Sequence, residues 1–199
     1  MMVSPLRAEH VKAVAALHVD TLTGLLTALG LPAARAHYAA CAESPLSTAF
    51  VALDGEMVRG FVAGSQWPRL LKREVLTRKP FAVAAAVALG VVRRPTVLPL
   101  VTESFRGPAP DSYDPGVAEL TYLAVAPEQR RGGVGRQLVG AFTAAIRSAG
   151  GDRYELSADD DNTAAAKFYE DLGFKRIGRY REFGIDHRRY RLDILGVTA

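Results

Sequence analysis

The sequence predicts an α/β chain (an α+β mixed sheet), with a central twisted, mixed β-sheet flanked by helices and a helical insertion before the core strand. Three observations predict it. An Asp54-Gly55 turn lies between two β-rich runs, the strongest short-range signal for a hairpin. From Val117 a strand, a Gly-rich turn and an amphipathic helix follow one another, and Tyr154 to Asp171 repeats the alternation of strand and helix. Two hairpins flanking such a strand–helix–strand–helix unit require both parallel and antiparallel neighbours, with helices on both faces.

In chain order, Leu6 to Leu31 carries Val11, Val14, Ala15, Leu17, Leu22, Leu25, Leu26 and Leu29 on one helical stripe, broken near Thr21–Gly24 and stopped at Gly30-Leu31-Pro32. A short second helix is expected over Ala33–Ala42. Thr48–Leu53 and Met57–Gly64 form the first hairpin. In Pro68–Ser112, Arg69, Lys72, Arg73, Arg78 and Lys79 stud one helical segment, Pro80 interrupts it, and an Ala/Val-rich helix follows. Beyond Arg93-Arg94-Pro95 the text is irregular, with Pro99, Gly107, Pro108 and Pro110. This stretch has too little apolar content for its own core, so 68–112 reads as an insertion within one domain covering 1–199.

Val117–Val125 is then a strand, Pro127–Gly132 a turn and Gly133–Gly150 a helix with Leu138, Val139, Phe142 and Ile146 along one side. Strand alternation puts Glu119, Thr121, Leu123 and Val125 on one face. Tyr154–Ala158 is a strand. Asp159-Asp160-Asp161-Asn162 reads as a capping run, whose short polar side chains satisfy the first free amides of a helix over Ala164–Asp171. Gly173 closes that helix. Phe174–Tyr180 and Tyr190–Leu195 finish as strands around a turn near Gly184.

Composition narrows the function classes. The chain has 199 residues, 49% hydrophobic and 23% charged, which excludes a disordered or collagen-like chain. Its 25 Lys and Arg against 21 Asp and Glu leave a mild excess of +4, and the arginines fall in separate stretches with Trp67 alone, so no nucleic-acid partner is expected. The single cysteine, Cys41, excludes a disulfide framework. His10, His18, His37 and His187 lack metal-ligand spacing, so no metal is expected. The first residues show no secretory pattern. The longest apolar run, Phe81–Val92, has twelve residues, against the roughly 18 a membrane span needs. A cytoplasmic protein without a membrane partner is expected, with that run as a buried helix or a homodimer face; a shallow membrane contact is the alternative reading of the run.

Arg130-Arg131-Gly132-Gly133-Val134-Gly135-Arg136 joins a strand to an amphipathic helix. A helix start offers free N–H groups and a positive dipole end, a ready site for phosphate. Glycines allow close backbone approach and positive φ, and three arginines add donors. The order of residues is neither a Walker loop nor a Gly-x-Gly-x-x-Gly dinucleotide turn.

Val125 to Gly135 resembles the pyrophosphate loop of the GNAT superfamily of N-acetyltransferases, whose Arg/Gln-x-x-Gly-x-Gly/Ala signature is matched by Arg130, Gly133 and Gly135. A second match follows at that family's spacing: Asn162-x-x-Ala165-x-x-Phe168-Tyr169-x-x-x-Gly173-Phe174. Ala118 to Val125 is similar to the strand entering the loop. The resemblance covers residues 117–176 and implies an acyl-coenzyme A N-acyltransferase fold with acetyl-coenzyme A as cosubstrate. By the same resemblance, backbone groups of Leu123, Ala124 and Val125 pair with the pantetheine arm. Amides of Arg131, Gly132, Gly133, Val134, Gly135 and Arg136 hold the pyrophosphate, Arg130 faces solvent or the ribose phosphate, and Asn162 meets the pantetheine or adenine side.

Tyr169 matches the general acid that protonates the departing thiolate, a role suited to a phenol protonated at neutral pH. Glu119 matches a base, direct or through water, for the attacking ammonium; an amine attacks only after losing that proton. The implied activity is an acyltransferase one: acetyl transfer to a primary amine of a small molecule by direct attack in a ternary complex. A protein N-terminal or lysine acetyltransferase and a non-catalytic acyl-coenzyme A sensor are the alternatives. The acceptor side falls on Asp20–Leu31, Gln66–Asp114 and Arg179–Arg191, whose basic residues, including Arg179, Arg181, Arg188 and Arg189, would suit an anionic acceptor.

Overall fold

A computed structural model describes residues 1–78, 80–106, 114, 116–182 and 184–194. Lys79, the Gly107–Ser112 end of the insertion and the Leu195 end of the last strand lie outside the described residues. The strands are β1 (Met2–Pro5), β2 (Thr48–Asp54), β3 (Met57–Ser65), β4 (Ala118–Val125), β5 (Arg153–Asp159), β6 (Lys175–Glu182) and β7 (Ile185–Asp193). The helices are α1 (Val11–Thr21), α2 (Leu25–Leu29), α3 (Leu31–Glu43), α4 (Pro68–Arg78), α5 (Pro80–Arg93), α6 (Leu98–Arg106), α7 (Val134–Ser148) and α8 (Thr163–Glu170). All seven strands form one sheet in the order β1-β2-β3-β4-β5-β7-β6. The β4–β5 pair is parallel and its neighbours are antiparallel, giving the mixed sheet expected.

Two cores sandwich this sheet. Against one face α7 presents Val134, Leu138, Val139, Phe142 and Ile146, all buried, together with Ala166 and Tyr169 of α8. Each such large apolar side chain contributes about 1.5–3 kcal/mol by leaving water. On the other face α1, α3 and α4 bury Val14, Ala15, Ala34, Tyr38, Leu71 and Val75 against Val51, Phe61, Ala63 and Ala124 of the sheet.

Three elements differ from expectation. Residues 2–5 form an edge strand paired antiparallel with β2, a segment too short to show periodicity. The second helix begins at Leu31, and α6 occupies a stretch expected to be irregular. Both misreadings come from proline: Pro32 and Pro99 sit in the first turns of their helices, where the missing N–H has no carbonyl to bond.

The strand alternation expected in β4 does not hold either. Ala63 pairs with Tyr122 and Gly64 with Leu120, so Thr121 has no partner in β3 and forms a bulge. Ala118 and Leu120 join the α7 core, as do Leu123 and Val125, whereas Tyr122 and Ala124 join the α1/α3 core. Glu119 therefore shares its face with Tyr122, not with Leu123 and Val125. Gly64 permits the bulge: a Cβ there would collide with the carbonyl oxygen of Glu119 and lie 2.9 Å from Leu120 Cα.

Candidate active site

The parallel β4–β5 pairing lasts three residues, Ala118↔Tyr154, Glu119↔Glu155 and Leu120↔Leu156. Beyond it the strands part. β5 continues to Asp159 on β7, and β4 continues to Val125 on β3 alone. The gap leaves one edge of β4 without a strand partner among the described residues. Ala126 donates its N–H to Arg59 at 2.8 Å, so by alternation Leu123 and Val125 turn their backbone groups to the open edge. Ala124 is the exception to the expected trio. Its carbonyl oxygen lies 3.0 Å from where a Cβ on Gly60 of β3 would stand, so it serves β3. Arg130, expected in solvent or at a phosphate, is exposed, and its Nε donates to the Val125 carbonyl at 3.3 Å.

The open edge runs into the Gly-rich turn. Arg131 has φ 64° and Gly133 φ 81°, the latter capping α7 in the left-handed region. A Cβ on Gly133 would meet open space. The first amides of a helix have no carbonyl partner within it. Gly135 has a different reason to be small: a Cβ there would meet Phe168 Cζ at 3.1 Å, so it lets α8 pack against the start of α7. Asn162 caps α8, its Oδ1 accepting from Ala165 N–H at 3.0 Å, which leaves its amide nitrogen for other contacts.

Tyr169 and Glu119 flank the gap from opposite faces. Tyr169 is buried among Phe168, Phe174 and Tyr190, with ring centroids 5.2, 5.5 and 6.1 Å away. Burial raises its phenol pKa above the ordinary value, so it holds its proton. On the other face, burial pushes the Glu119 carboxyl up to about 7, helped by the Glu182 carboxylate and opposed by Arg189. Its neighbour Glu155 is 3% exposed, yet its oxygens are already engaged: Arg189 Nε donates at 2.6 Å and Arg191 Nη2 at 2.6 Å.

The face of the sheet that holds Glu119 carries a cluster that the sequence did not reveal. His18 Nδ1 lies 2.7 Å from the Tyr38 hydroxyl, and the ring of Tyr122 packs edge-on against His18 and His37 at 4.8 and 5.7 Å. Burial lowers both histidines to about 4, so they are neutral at physiological pH. Cys41 is buried beside His37 Nε2 at 3.5 Å, and its thiol is pushed up to about 11. His18 on α1 lies about twenty residues from His37, Tyr38 and Cys41 on α3, Tyr122 comes from the distant strand β4, and the helical spacing of the first four is indistinguishable from that of ordinary core positions.

The aspartates before α8 do not form a capping run. Asp159 bonds Thr23 Oγ1 at 3.0 Å and pairs with His187 at 3.2 Å, tying the α1–α2 turn across the end of β5. Asp160 takes Arg179 and Arg188, whose hydrogen bonds lower its carboxyl to about 2. Arg181 pairs with Asp186 at 3.5 Å. The hairpin arginines expected to greet an anionic acceptor thus all have carboxylate partners within the fold. A cleft of about 350 Å³ is lined by Asp160, Arg179, Tyr180, Arg181 and Asp186, beside the gap and not within it. Among the described residues no group of His, Cys, Asp and Glu is placed to hold a metal ion, and no single helix is long and apolar enough to cross a membrane.

A strand splayed from its parallel neighbour above a Gly-rich helix start defines an acyltransferase architecture, and comparison with known proteins agrees. The profile of the acetyltransferase (GNAT) family matches residues 16–174, and the chain belongs to that family. It is 44% identical over 66 residues to a mycothiol acetyltransferase of Thermobispora bispora, covering 33% of this chain and 22% of that protein. It is 37% identical over 76 residues to N-alpha-acetyltransferase 30 of Schizosaccharomyces pombe, covering 37% of this chain and 51% of that one. The chain thus spans about a fifth and about half of these relatives' lengths. Among solved structures, an aminoglycoside 6′-acetyltransferase type Ii superposes with a TM-score of 0.63 at 16% identity, covering 98% of each chain. The ribosomal-protein-S18-alanine N-acetyltransferase of Escherichia coli does so at 0.58 and 16%, covering 100% of this chain and 97% of that one. At such identities these two likenesses speak to the fold.

Proposed function

We propose that the protein is an acetyl-coenzyme A-dependent N-acetyltransferase acting on a primary amine of a small molecule, built as one domain with 68–112 as an insertion. The observation that carries this reading is the unpaired edge of β4 leading into the Gly-rich start of α7, with a protonated phenol on one side and a carboxyl near pKa 7 on the other. The cosubstrate supplies an activated acetyl thioester. Leu123 and Val125 bind its pantetheine arm as an added strand, with Arg130 releasing the Val125 carbonyl. The amides from Arg131 to Arg136 hold its pyrophosphate, and the free amide of Asn162 contacts the arm from α8.

Glu119 takes a proton from the ammonium of the acceptor, directly or through water. The freed amine then forms the C–N bond as the C–S bond breaks, Tyr169 gives its proton to the departing sulfur, and the second proton, shed by the new amide nitrogen, restores the phenol. A half-buried carboxyl titrating near neutrality suits a base that must be regenerated each turnover. Glu155, with both oxygens engaged by guanidinium groups, leaves this role to Glu119. The Thr23–Asp159 bridge crosses the acceptor side and favours a compact amine over an extended peptide. The likeness to N-alpha-acetyltransferase 30 supports a second reading, a protein amino terminus as acceptor.

Release of free thiol from acetyl-coenzyme A, followed across a panel of small primary amines and short peptides, tests both. Turnover with a small amine supports the first reading, and turnover with peptides alone moves the assignment to the second. Tight binding of coenzyme A without turnover on any acceptor overturns both in favour of a sensor.

A further inference from the structure

Helix α5 is apolar on every side. Its inner side rests on α2 and α3, with Ala86 and Gly90 buried. Gly90 permits that contact, since a Cβ there would stand 2.8 Å from Leu29 Cδ2. The residues facing solvent are Phe81, Ala84, Ala85, Ala88, Leu89 and Val92, at spacings of three and four that form one continuous stripe. Phe81 is 88% exposed and Val92 77%. A helix on a solvated surface carries polar residues along that stripe, and here there are none.

The charge of the chain is concentrated around this stripe. Residues 68–98 contain seven Lys and Arg and one acidic residue, Glu74, so the segment is +6 while the rest of the chain is −2. Glu74 is itself occupied, bonded by Ser44 Oγ at 2.5 Å and by Arg78 Nε at 2.6 Å. Arg78, which pairs with Glu74, and Lys79 precede α5 in the sequence, and Arg93 and Arg94 follow the stripe directly, so both of its ends carry basic residues.

We infer that α5 and its basic ends form a docking surface for an anionic lipid bilayer, with the Phe81–Val92 stripe lying in the interfacial plane. An apolar face bounded by Arg and Lys is what the boundary between acyl chains and anionic headgroups complements. Twelve apolar residues are too few to span, and α4 and α5 bend by 87° at their junction, so the helix lies on the bilayer without crossing it. A second copy of the chain fits less well. Pairing through α5 would set one +6 segment against another, with like charges at both ends of the contact.

The test is co-sedimentation of the whole chain with two kinds of vesicle, phosphatidylcholine alone and phosphatidylcholine mixed with phosphatidylglycerol. The protein should sediment with the mixed vesicles and stay in solution with phosphatidylcholine, and added salt should weaken the binding. Joint replacement Phe81→Glu and Val92→Glu should abolish binding. Arg93→Gln with Arg94→Gln should weaken it about 25-fold, about fivefold per arginine. Each variant should keep the parent's melting temperature and its coenzyme A affinity in solution, which separates loss of docking from loss of fold. No sedimentation with mixed vesicles, equal binding to both vesicles, or binding indifferent to these replacements overturns the inference. So does a concentration-dependent dimer that Phe81→Glu dissolves while vesicles are ignored.

Discussion

Replacing Glu119 with glutamine should make the protein more stable and less active at once. The Glu119 carboxyl, ordinarily near 4.5, sits at about 7 in the fold. The folded chain therefore binds this proton more tightly than the unfolded chain, and the stability so conferred is full below pH 4.5 and is lost as pH rises to 7. At about 1.4 kcal/mol per pH unit that interval amounts to about 3 kcal/mol, reduced to about 2 kcal/mol because the side chain keeps partial contact with water. Glutamine has nearly the same shape and never ionises. Urea unfolding should therefore find Glu119→Gln about 2 kcal/mol more stable than the parent at about pH 8 and indistinguishable near pH 4.5. The melting temperature at the higher pH should rise by about 5 °C. Turnover should fall about 10²- to 10⁴-fold with affinity for coenzyme A retained. A variant no more stable than the parent at pH 8 would refute the reasoning, because it would mean that the carboxylate is solvated at no cost and is not held for proton transfer.

Tyr169→Phe keeps the ring packing and removes the hydroxyl, so kcat should drop about 10²-fold or more while KM for acetyl-coenzyme A stays within about twofold, as steady-state thiol release would show. Gly64→Ala forces a Cβ into the backbone of Glu119, and chemical unfolding should register a loss of about 3 kcal/mol or more. His18 is lowered from 6.5 to about 4, so its contribution to stability is present above pH 6.5 and disappears as pH falls towards 4, a loss of about 3 kcal/mol. Melting curves across that range should show this slope in the parent. His18→Gln should flatten it, although the variant starts lower for want of an equally placed partner to Tyr38.

The hairpin, the β4–α7 turn and the α8 cap were legible because each is encoded locally, by Asp54-Gly55, by the glycines of 132–135 and by Asn162. Proline misled where its two meanings diverge: Pro32 and Pro99 begin helices, although proline also ends them. The bulge at Thr121 was out of reach, because it depends on what faces β4 across the sheet. Its one local trace is Gly64, an isolated glycine in a strand, which marks close backbone approach. The partners of Glu155, Asp159 and Asp160 lie 19 to 136 residues away, and no spacing rule connects such positions. For the same reason the hairpin arginines looked like free positive charge in the sequence and prove to be internal ties in the fold.

The bulge has a consequence for engineering. By exchanging the faces of β4 at one residue, it assigns Glu119 and Tyr122 to one side of the sheet and Leu123 and Val125 to the other. A mutant library confined to α1–α3 and the α4 flank would therefore vary the Glu119 side of the sheet and leave the Leu123 and Val125 side untouched. On the proposed reading, selection on such a library would explore new amines at constant donor affinity, whereas straightening the strand with Thr121 retained and paired to Gly64 would turn the acidic side chain to the opposite face and merge two problems that the bulge keeps apart.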